Sequence, residues 1–318
     1  MKTAGFDGPD LSVSIAGVRF RNPVIAASGT FGYGSEYEGL LDIAELGGIC
    51  TKGLTLKPRR GNSGVRIHET PSGLMNSIGL ENPGIPAFLE RELPRLRSLG
   101  PVVIANLSGS DRDEYTGGAA LLDTSSVDMI ELNISCPNVK AGGMQFGLEP
   151  AAAAELTAAV RKAAARKPLI VKLSPNAPDL AGVARACVNA GADALSLVNT
   201  FQALAIDIGR RRLVFDNTTA GLSGPAIRPL ALRMVWELWE ALREPPAHKG
   251  TLVPIVGMGG IASPEDALEF LMAGAAAVEV GSATFAHPRL MNEITAGIAD
   301  YMAGRGIAAV GELSIRKR

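Results

Sequence analysis

Asn133, Ser135, Cys136 and Asn138 stand close together, a thiol set among amides and a hydroxyl, with no charge beside them. The apolar residues Met129, Ile130, Leu132 and Ile134 lead up to them, and Pro137 stops any regular ladder because it lacks an N–H. The group therefore sits where a strand gives way to a glycine-containing loop, residues 139–147. Two readings of Cys136 are open at this point. Most free cysteines are small buried hydrophobes, whereas a thiolate at an accessible strand end can serve as a general base. No His or Asp stands near Cys136 in sequence, so no nucleophilic triad is visible.

Other polar residues recur at matching places. Ser28, Lys52, Asn106, Lys172, Asn199 with Thr200, Gly257 to Gly260, and Gly281 with Ser282 each end an apolar run. Two lysines and several amides without a carboxylate suit an anionic or carbonyl-rich ligand and argue against a divalent metal. A strand lysine can snorkel to solvent, but two in one sheet point to a shared anionic partner. Gly257-Met-Gly-Gly-Ile261 opens a helix and Gly281-Ser282 follows a strand, so backbone N–H groups and a helix N-terminus there are expected to cradle a phosphate. The alternative is that these glycines only turn the chain. None of His68, His248 and His287 lies at such an end, and all three read as surface or loop residues.

The elements that must hold these residues follow a repeating order. Residues 11–20 alternate with period two around Ala16-Gly17 and predict a β-hairpin. Core strands are expected over residues 22–29, 47–53, 101–107, the run carrying Asn133, 168–173, 194–198, 253–257 and 276–282. Helices are expected over 35–45, 87–98, 112–125, 150–165, 178–190, a segment ending at 242, 264–272 and 288–304. Between them lie a long functional loop from 54 to about 86 and an irregular insertion over 201–224. Ala190 to Val198 and Ala273 to Val280 echo each other as helix end, glycine turn and buried strand. Eight strand-then-helix units predict an α/β (β/α)8 TIM barrel with an N-terminal β-hairpin and loop insertions, one domain over residues 1–318. A doubly wound open sheet is the alternative.

Composition agrees. Of 318 residues 47% are hydrophobic and only 5% aromatic, which makes an aliphatic core. The 31 basic and 32 acidic residues balance to −1, without the basic stripe that nucleic-acid binding needs. Three cysteines, Cys50, Cys136 and Cys187, have no zinc or iron–sulfur spacing and suit a reducing cytosol. Neither a signal core in residues 1–10 nor an apolar run of about 18 residues is found, so a cytoplasmic protein without a membrane span is expected.

Taken together, Ala27-Ser-Gly29, Thr51-Lys-Gly53, Asn76-Ser-Ile-Gly-Leu80, Asn133-Ile-Ser-Cys-Pro-Asn138, Val171-Lys172, Val198-Asn-Thr200, Ser223-Gly-Pro-Ala-Ile227, Gly257-Met-Gly-Gly-Ile261 and Gly281-Ser282 resemble the class 1 dihydroorotate dehydrogenase family. The resemblance runs nearly the whole chain. Asn-Val-Lys-Ala-Gly-Gly after Pro137 and the form of Gly257-Met-Gly-Gly-Ile261 resemble class 1B, the NAD-linked type, more than the fumarate-using 1A type, and cysteine at 136 separates class 1 from the membrane-bound class 2.

The resemblance implies an FMN barrel that oxidises dihydroorotate to orotate in pyrimidine synthesis, with Cys136 as the base. It implies substrate binding by Lys52, Asn76, Ser77, Ile78, Gly79, Leu80, Asn133, Asn199 and Thr200. It implies FMN binding by Ser28, Lys52, Gly53, Asn106, Asn133, Lys172, Val198, Gly224, Gly259, Gly260, Gly281 and Ser282. Ser77 and Ser282 stand where relatives often carry Ala and Thr. Class 1B enzymes pass electrons to NAD through FAD and a [2Fe-2S] cluster. Three scattered cysteines cannot ligate such a cluster, and no Gly-x-Gly-x-x-Gly fingerprint is present. A separate iron–sulfur FAD subunit is therefore implied, with two catalytic and two electron-transfer chains and a homodimer of this chain. Two other functions fit the same residues, a reductase of other pyrimidines on an FMN barrel and a flavin-free phosphate-binding barrel.

Overall fold

The computed structural model of the chain describes residues 8–135, 146–243 and 252–316. Cys136 and most of the loop after it lie outside the described residues, as does His248. Eight parallel strands close into a barrel: β3 (Val24–Ala26), β4 (Gly48–Cys50), β7 (Val102–Leu107), β8 (Met129–Asn133), β9 (Leu169–Lys172), β10 (Ala194–Leu197), β15 (Ile255–Met258) and β16 (Ala277–Val280). They neighbour one another in chain order, with β16 pairing back onto β3. The expected barrel is therefore the observed one, and the open sheet is excluded by that last pairing.

Because successive side chains of a strand face opposite ways, each barrel strand divides its residues between two cores. Outward-facing Val103, Ile130, Leu132, Val171, Leu195 and Val278 pack against the surrounding helices. Inward-facing Ile25, Cys50, Ile104, Met129, Ile170, Ala194, Val256 and Ala277 fill the lumen. The hairpin of β1 (Val13–Ile15) and β2 (Val18–Phe20) stops the lower end, where Ile15 and Phe20 join the lumen core with no exposure. Three helix starts carry their own caps. Asp111, Asp179 and Ser263 accept from the N–H groups of Glu114, Gly182 and Asp266, which begin Arg112–Asp123, Leu180–Asn189 and Pro264–Met272.

Two expected elements differ. In place of a helix over 35–45 there are short 3₁₀ turns, Ser35–Tyr37 and Ile43–Glu45. Gly34 and Gly39 adopt left-handed φ of 86° and 76°, which interrupts the helix on both sides of Tyr37. The helix expected over 87–98 is Ile85–Ala87, a π turn Phe88–Glu92 and Leu93–Leu99 end to end. Pro94, which has no N–H to donate, accounts for the π turn before it.

The loop of residues 54–86 and the insertion of 201–224 are the larger departure. They fold against each other. β5 (Ile67–Thr70), β6 (Gly73–Asn76), β11 (Phe201–Ala203) and β14 (Ala220–Ser223) form one antiparallel sheet in the order β11-β14-β6-β5. A small ribbon of β12 (Ile206–Asp207) and β13 (Arg212–Leu213) projects from it. Among the described residues no helix is long and apolar enough to cross a membrane.

Candidate active site

The sheet roofs a cavity at the C-terminal mouth of the barrel, where barrel enzymes assemble their sites. Ile67, Leu74 and Asn76 line it from the roof, Lys52, Asn133 and Lys172 from the barrel. The roof depends on close backbone approach. A Cβ on Gly221 would lie 2.1 Å from Thr200 Oγ1, and one on Gly73 2.1 Å from the Ser223 carbonyl oxygen. Asn76 ties the roof strands together by donating from Nδ2 to the Gly221 carbonyl at 3.3 Å.

Most of the expected site residues meet at this cavity. Ser28, Lys52, Gly53, Asn76, Ile78, Gly79, Leu80, Asn133, Lys172, Val198, Asn199, Thr200, Gly224, Gly259, Gly260, Gly281 and Ser282 all line it. Lys52 Nζ is 3.9 Å from where a Cβ on Gly29 would stand. Gly79 and Leu80 follow each other in left-handed backbone, φ 75° and 57°. For Leu80 that conformation costs of order 1–3 kcal/mol and persists where neighbours enforce it. Asn82 does so, donating from Nδ2 to the Leu80 carbonyl at 2.7 Å and to Thr55 Oγ1 at 2.9 Å.

Two expected residues do not reach the cavity. Ser77 is buried in the roof's outer packing, where its Oγ accepts from Asn62 Nδ2 at 3.1 Å and Asn217 Nδ2 at 3.0 Å. Asn106 lies one layer below the mouth. Its Nδ2 donates to Glu131 Oε1 at 2.5 Å, and its Oδ1 accepts from Asn133 Nδ2 at 3.3 Å. Asn106 thus orients a cavity residue without lining the cavity itself.

Ser135 links the two amides at the rim. Its N–H and Oγ donate to Asn133 Oδ1 at 3.1 and 2.9 Å, and Asn199 Nδ2 donates to its Oγ at 2.8 Å. Asn199 Oδ1 in turn accepts from the Thr200 N–H at 2.8 Å. Cys136 is the next residue along the chain. The other two cysteines do not compete as bases. Burial pushes the Cys187 thiol up to about 11, and burial followed by the neighbouring carboxylates holds Cys50 well above its ordinary value. His68 meets Phe215 edge-on in the roof, and His287 is an exposed partner of Glu293 at 2.7 Å.

The sequence reading of a mouth without acids needs correction. Glu131 and Glu279 are inside the barrel, 0% and 1% exposed, and Glu279 lines the cavity floor. Lys172 Nζ stands 3.7 Å from Glu131 Oε1 and 3.8 Å from Glu279 Oε2. Burial works against the Lys172 ammonium, but the negative charge beside it, Glu131 foremost, outweighs that and holds its pKa above the usual lysine value. Ser196 Oγ also donates to Glu131, at 2.8 Å. The missed signal was the alternation itself: Met129, Glu131 and Asn133 share the inward face of one strand, as do Ala277 and Glu279 of another.

The glycine end is built mainly from backbone. The helix after strand β15 begins at Pro264, which has no N–H, and two N–H groups around its start are already engaged. Ser263 Oγ accepts from the Asp266 N–H at 3.2 Å, and Asp266 Oδ2 from the Ala262 N–H at 2.9 Å. What remains for an anion is the glycine backbone. Gly259 and Gly260 have φ of 124° and 79°, and a Cβ on Gly260 would meet the Gly224 carbonyl oxygen at 2.7 Å. A Cβ on Gly281 would meet protein atoms only at 3.6 Å or beyond. Its packing therefore tolerates a side chain that the cavity does not contain. One end made of bare backbone and another of lysines and amides fits an elongated ligand with a phosphate at one end and a carbonyl-rich ring at the other, as FMN has.

A family model for dihydroorotate dehydrogenase matches residues 10–302. Dihydroorotate dehydrogenase B (NAD(+)), catalytic subunit, of Petrotoga mobilis is 56% identical over 304 residues, covering 96% of this chain and 98% of that protein. The proteins of the same name from Geotalea daltonii and Trichlorobacter lovleyi are 54% and 51% identical over 306 residues, each covering 96% of this chain and 97% of the relative. With the barrel, the roofed mouth and these similarities together, the chain belongs to the dihydroorotate dehydrogenase family.

Proposed function

We propose that the roofed mouth holds FMN and dihydroorotate side by side, with Cys136 as the general base. The chain is a dihydroorotate dehydrogenase, an oxidoreductase that converts dihydroorotate to orotate in pyrimidine synthesis. The observation that carries the site assignment is the meeting of Lys52, Asn133, Asn199 and Thr200 with the roof residue Asn76 in one cavity.

Lys52 neutralises the substrate carboxylate, while Asn76, Asn133, Asn199 and Thr200 hydrogen-bond the carboxylate and ring carbonyls. Ser77 acts from behind the roof, and Ile78, Gly79 and Leu80 shape the wall. Ser28, Lys52, Gly53, Asn106, Asn133, Lys172 and Val198 hold or orient the ring end of FMN, and Gly224, Gly259, Gly260, Gly281 and Ser282 its phosphate end. Cys136, as thiolate, removes the proton from C5 of dihydroorotate, a step with which general bases accelerate reactions by about 10²–10⁴-fold. FMN, when bound, supplies the acceptor for the hydride leaving C6. The roof excludes water from that exchange.

The relatives' name, catalytic subunit, supports a companion chain. In this reading the companion carries FAD and a [2Fe-2S] cluster and relays electrons to NAD, two copies joining a homodimer of this chain in the cytoplasm. The whole chain, 1–318, acts as one domain. Anaerobic dihydroorotate should bleach the FMN of the purified chain, and NAD reduction should require the companion. A colourless chain that rejects FMN, or a flavin that dihydroorotate leaves oxidised, would overturn the reading.

A further inference from the structure

The cavity floor holds a titratable cluster that the reaction above does not use. Glu279 is buried and lines the cavity, yet neither of its carboxyl oxygens has a hydrogen-bond partner among the described residues. Its neighbours come from every side. Lys172 on β9 stands 3.8 Å away. Glu131 on β8 and Cys50 on β4 bring their own oxygen and sulfur atoms within 4.8 Å of it and of each other. Lys52, just beyond β4, lines the same cavity. The Ser28 N–H faces the carboxyl but falls outside hydrogen-bond geometry.

The two carboxyl groups are treated differently. Glu131 accepts from Asn106 Nδ2 at 2.5 Å, Ser196 Oγ at 2.8 Å and Cys50 Sγ at 3.3 Å. That is a built anion site. Glu279 has no such donors, and a buried carboxylate left without them is heavily penalised. One lysine can neutralise only one of the pair. A proton on Glu279 resolves both problems. It turns an orphan acceptor into a donor with Glu131 in reach, and it brings Lys172, Glu131 and Glu279 to zero net charge. No metal is needed, because the Lys172 ammonium already sits against both carboxyl groups.

We propose that Glu279 is held as a neutral carboxylic acid beneath the cavity, a positioning residue that leaves Lys172 neutralised once, by Glu131, so that the floor does not repel an anionic ligand. An ionised Glu279 would instead give the floor a net negative charge directly below the ring end of the cavity. Burial, reinforced by the charge on Glu131 and opposed by Lys172, pushes the Glu279 acid well above the ordinary carboxylate range, in the same sense. The inference stands on this chain's own geometry and survives if the flavin assignment fails.

Infrared spectroscopy of the purified full-length chain tests it without any turnover. The wild type should show a protonated-acid carbonyl band that persists between about pH 5 and 9 and vanishes in Glu279→Gln. In Glu131→Gln the band should vanish as well, because Glu279 must then ionise to neutralise Lys172. A residue that merely packs would not respond in that way. FMN titration gives the second reading: Glu279→Gln, a neutral isostere, should keep the dissociation constant within about twofold. Absence of the wild-type band, its survival in Glu279→Gln, or FMN binding tightened about tenfold in that variant would overturn the proposal. If Glu279→Gln fails to fold, the pH titration of the wild-type band alone decides.

Discussion

The lower and upper lumen of the barrel are built by the same strands two residues apart, and their chemistry is opposite. Ile104, Met129, Ile170, Ala194 and Ala277 form the lower layer, closed from below by Ile15 and Phe20. One inward step along each strand brings Asn106, Glu131, Lys172, Ser196 and Glu279, all buried. A pitch of about 6.6 Å therefore separates a dry plug from a charged floor. The plug is where burial stabilises the fold, and the floor is where stability is given up for a defined electrostatic surface.

That contrast can be broken from either side. The largest effect is expected at the proposed base: Cys136→Ala should slow dihydroorotate-dependent flavin bleaching by about 10²–10⁴-fold while leaving FMN bound. Normal bleaching would show that the base is another group. In the plug, Phe20→Ala should cost about 3–5 kcal/mol of unfolding free energy with no change in FMN affinity, as read by urea denaturation and flavin titration. On the floor, Lys172→Met should cost a similar amount, about 3–5 kcal/mol, because it strands Glu131. Unlike the plug variant, it should also lose FMN affinity. Equal behaviour of the two variants would erase the distinction between the layers.

Alkaline pH offers a smaller effect in the shell outside the lumen. Cys187 keeps its proton to about 11 in the folded chain against 9.0 when exposed. Between those values the unfolded chain binds fewer protons, so stability should fall by roughly 2–3 kcal/mol as pH rises through that window. Urea midpoints should show the fall, and Cys187→Ala should lessen it by that amount, leaving the part due to Cys50, whose buried thiol is also held above its ordinary value. The smallest effect is expected at Ser77, which lies behind the roof. Ser77→Ala should change the KM for dihydroorotate less than about twofold, and a tenfold rise would show that its hydroxyl reaches the substrate.

The same layering explains what was legible in the sequence. Barrel strands such as Leu169–Lys172 and Ala194–Leu197 are buried on both faces and read as short apolar runs between helices. The polar residues ending those runs mark the mouth, so Lys52, Asn133, Asn199 and the glycines could be gathered before any fold was seen. Glu131 and Glu279 escaped because each is one acid inside an apolar strand, and its inward direction is set only by register. The roof escaped for another reason. Ile67–Thr70 and Phe201–Ala203 are three or four residues long and half exposed, and β6 finds its partner β14 about 145 residues later. No local pattern encodes such a pairing.

That distant pairing also orders events in time. β6 emerges early in synthesis, but the strand that locks it, Ala220–Ser223, follows the sixth barrel strand. Contacts between remote segments form late, because closing a long intervening chain is entropically costly. A growing chain can therefore assemble much of its barrel wall while the mouth stays open. The mouth thus gains its cover only in a chain made past residue 223, and the glycines at 259–260 and 281 follow later still.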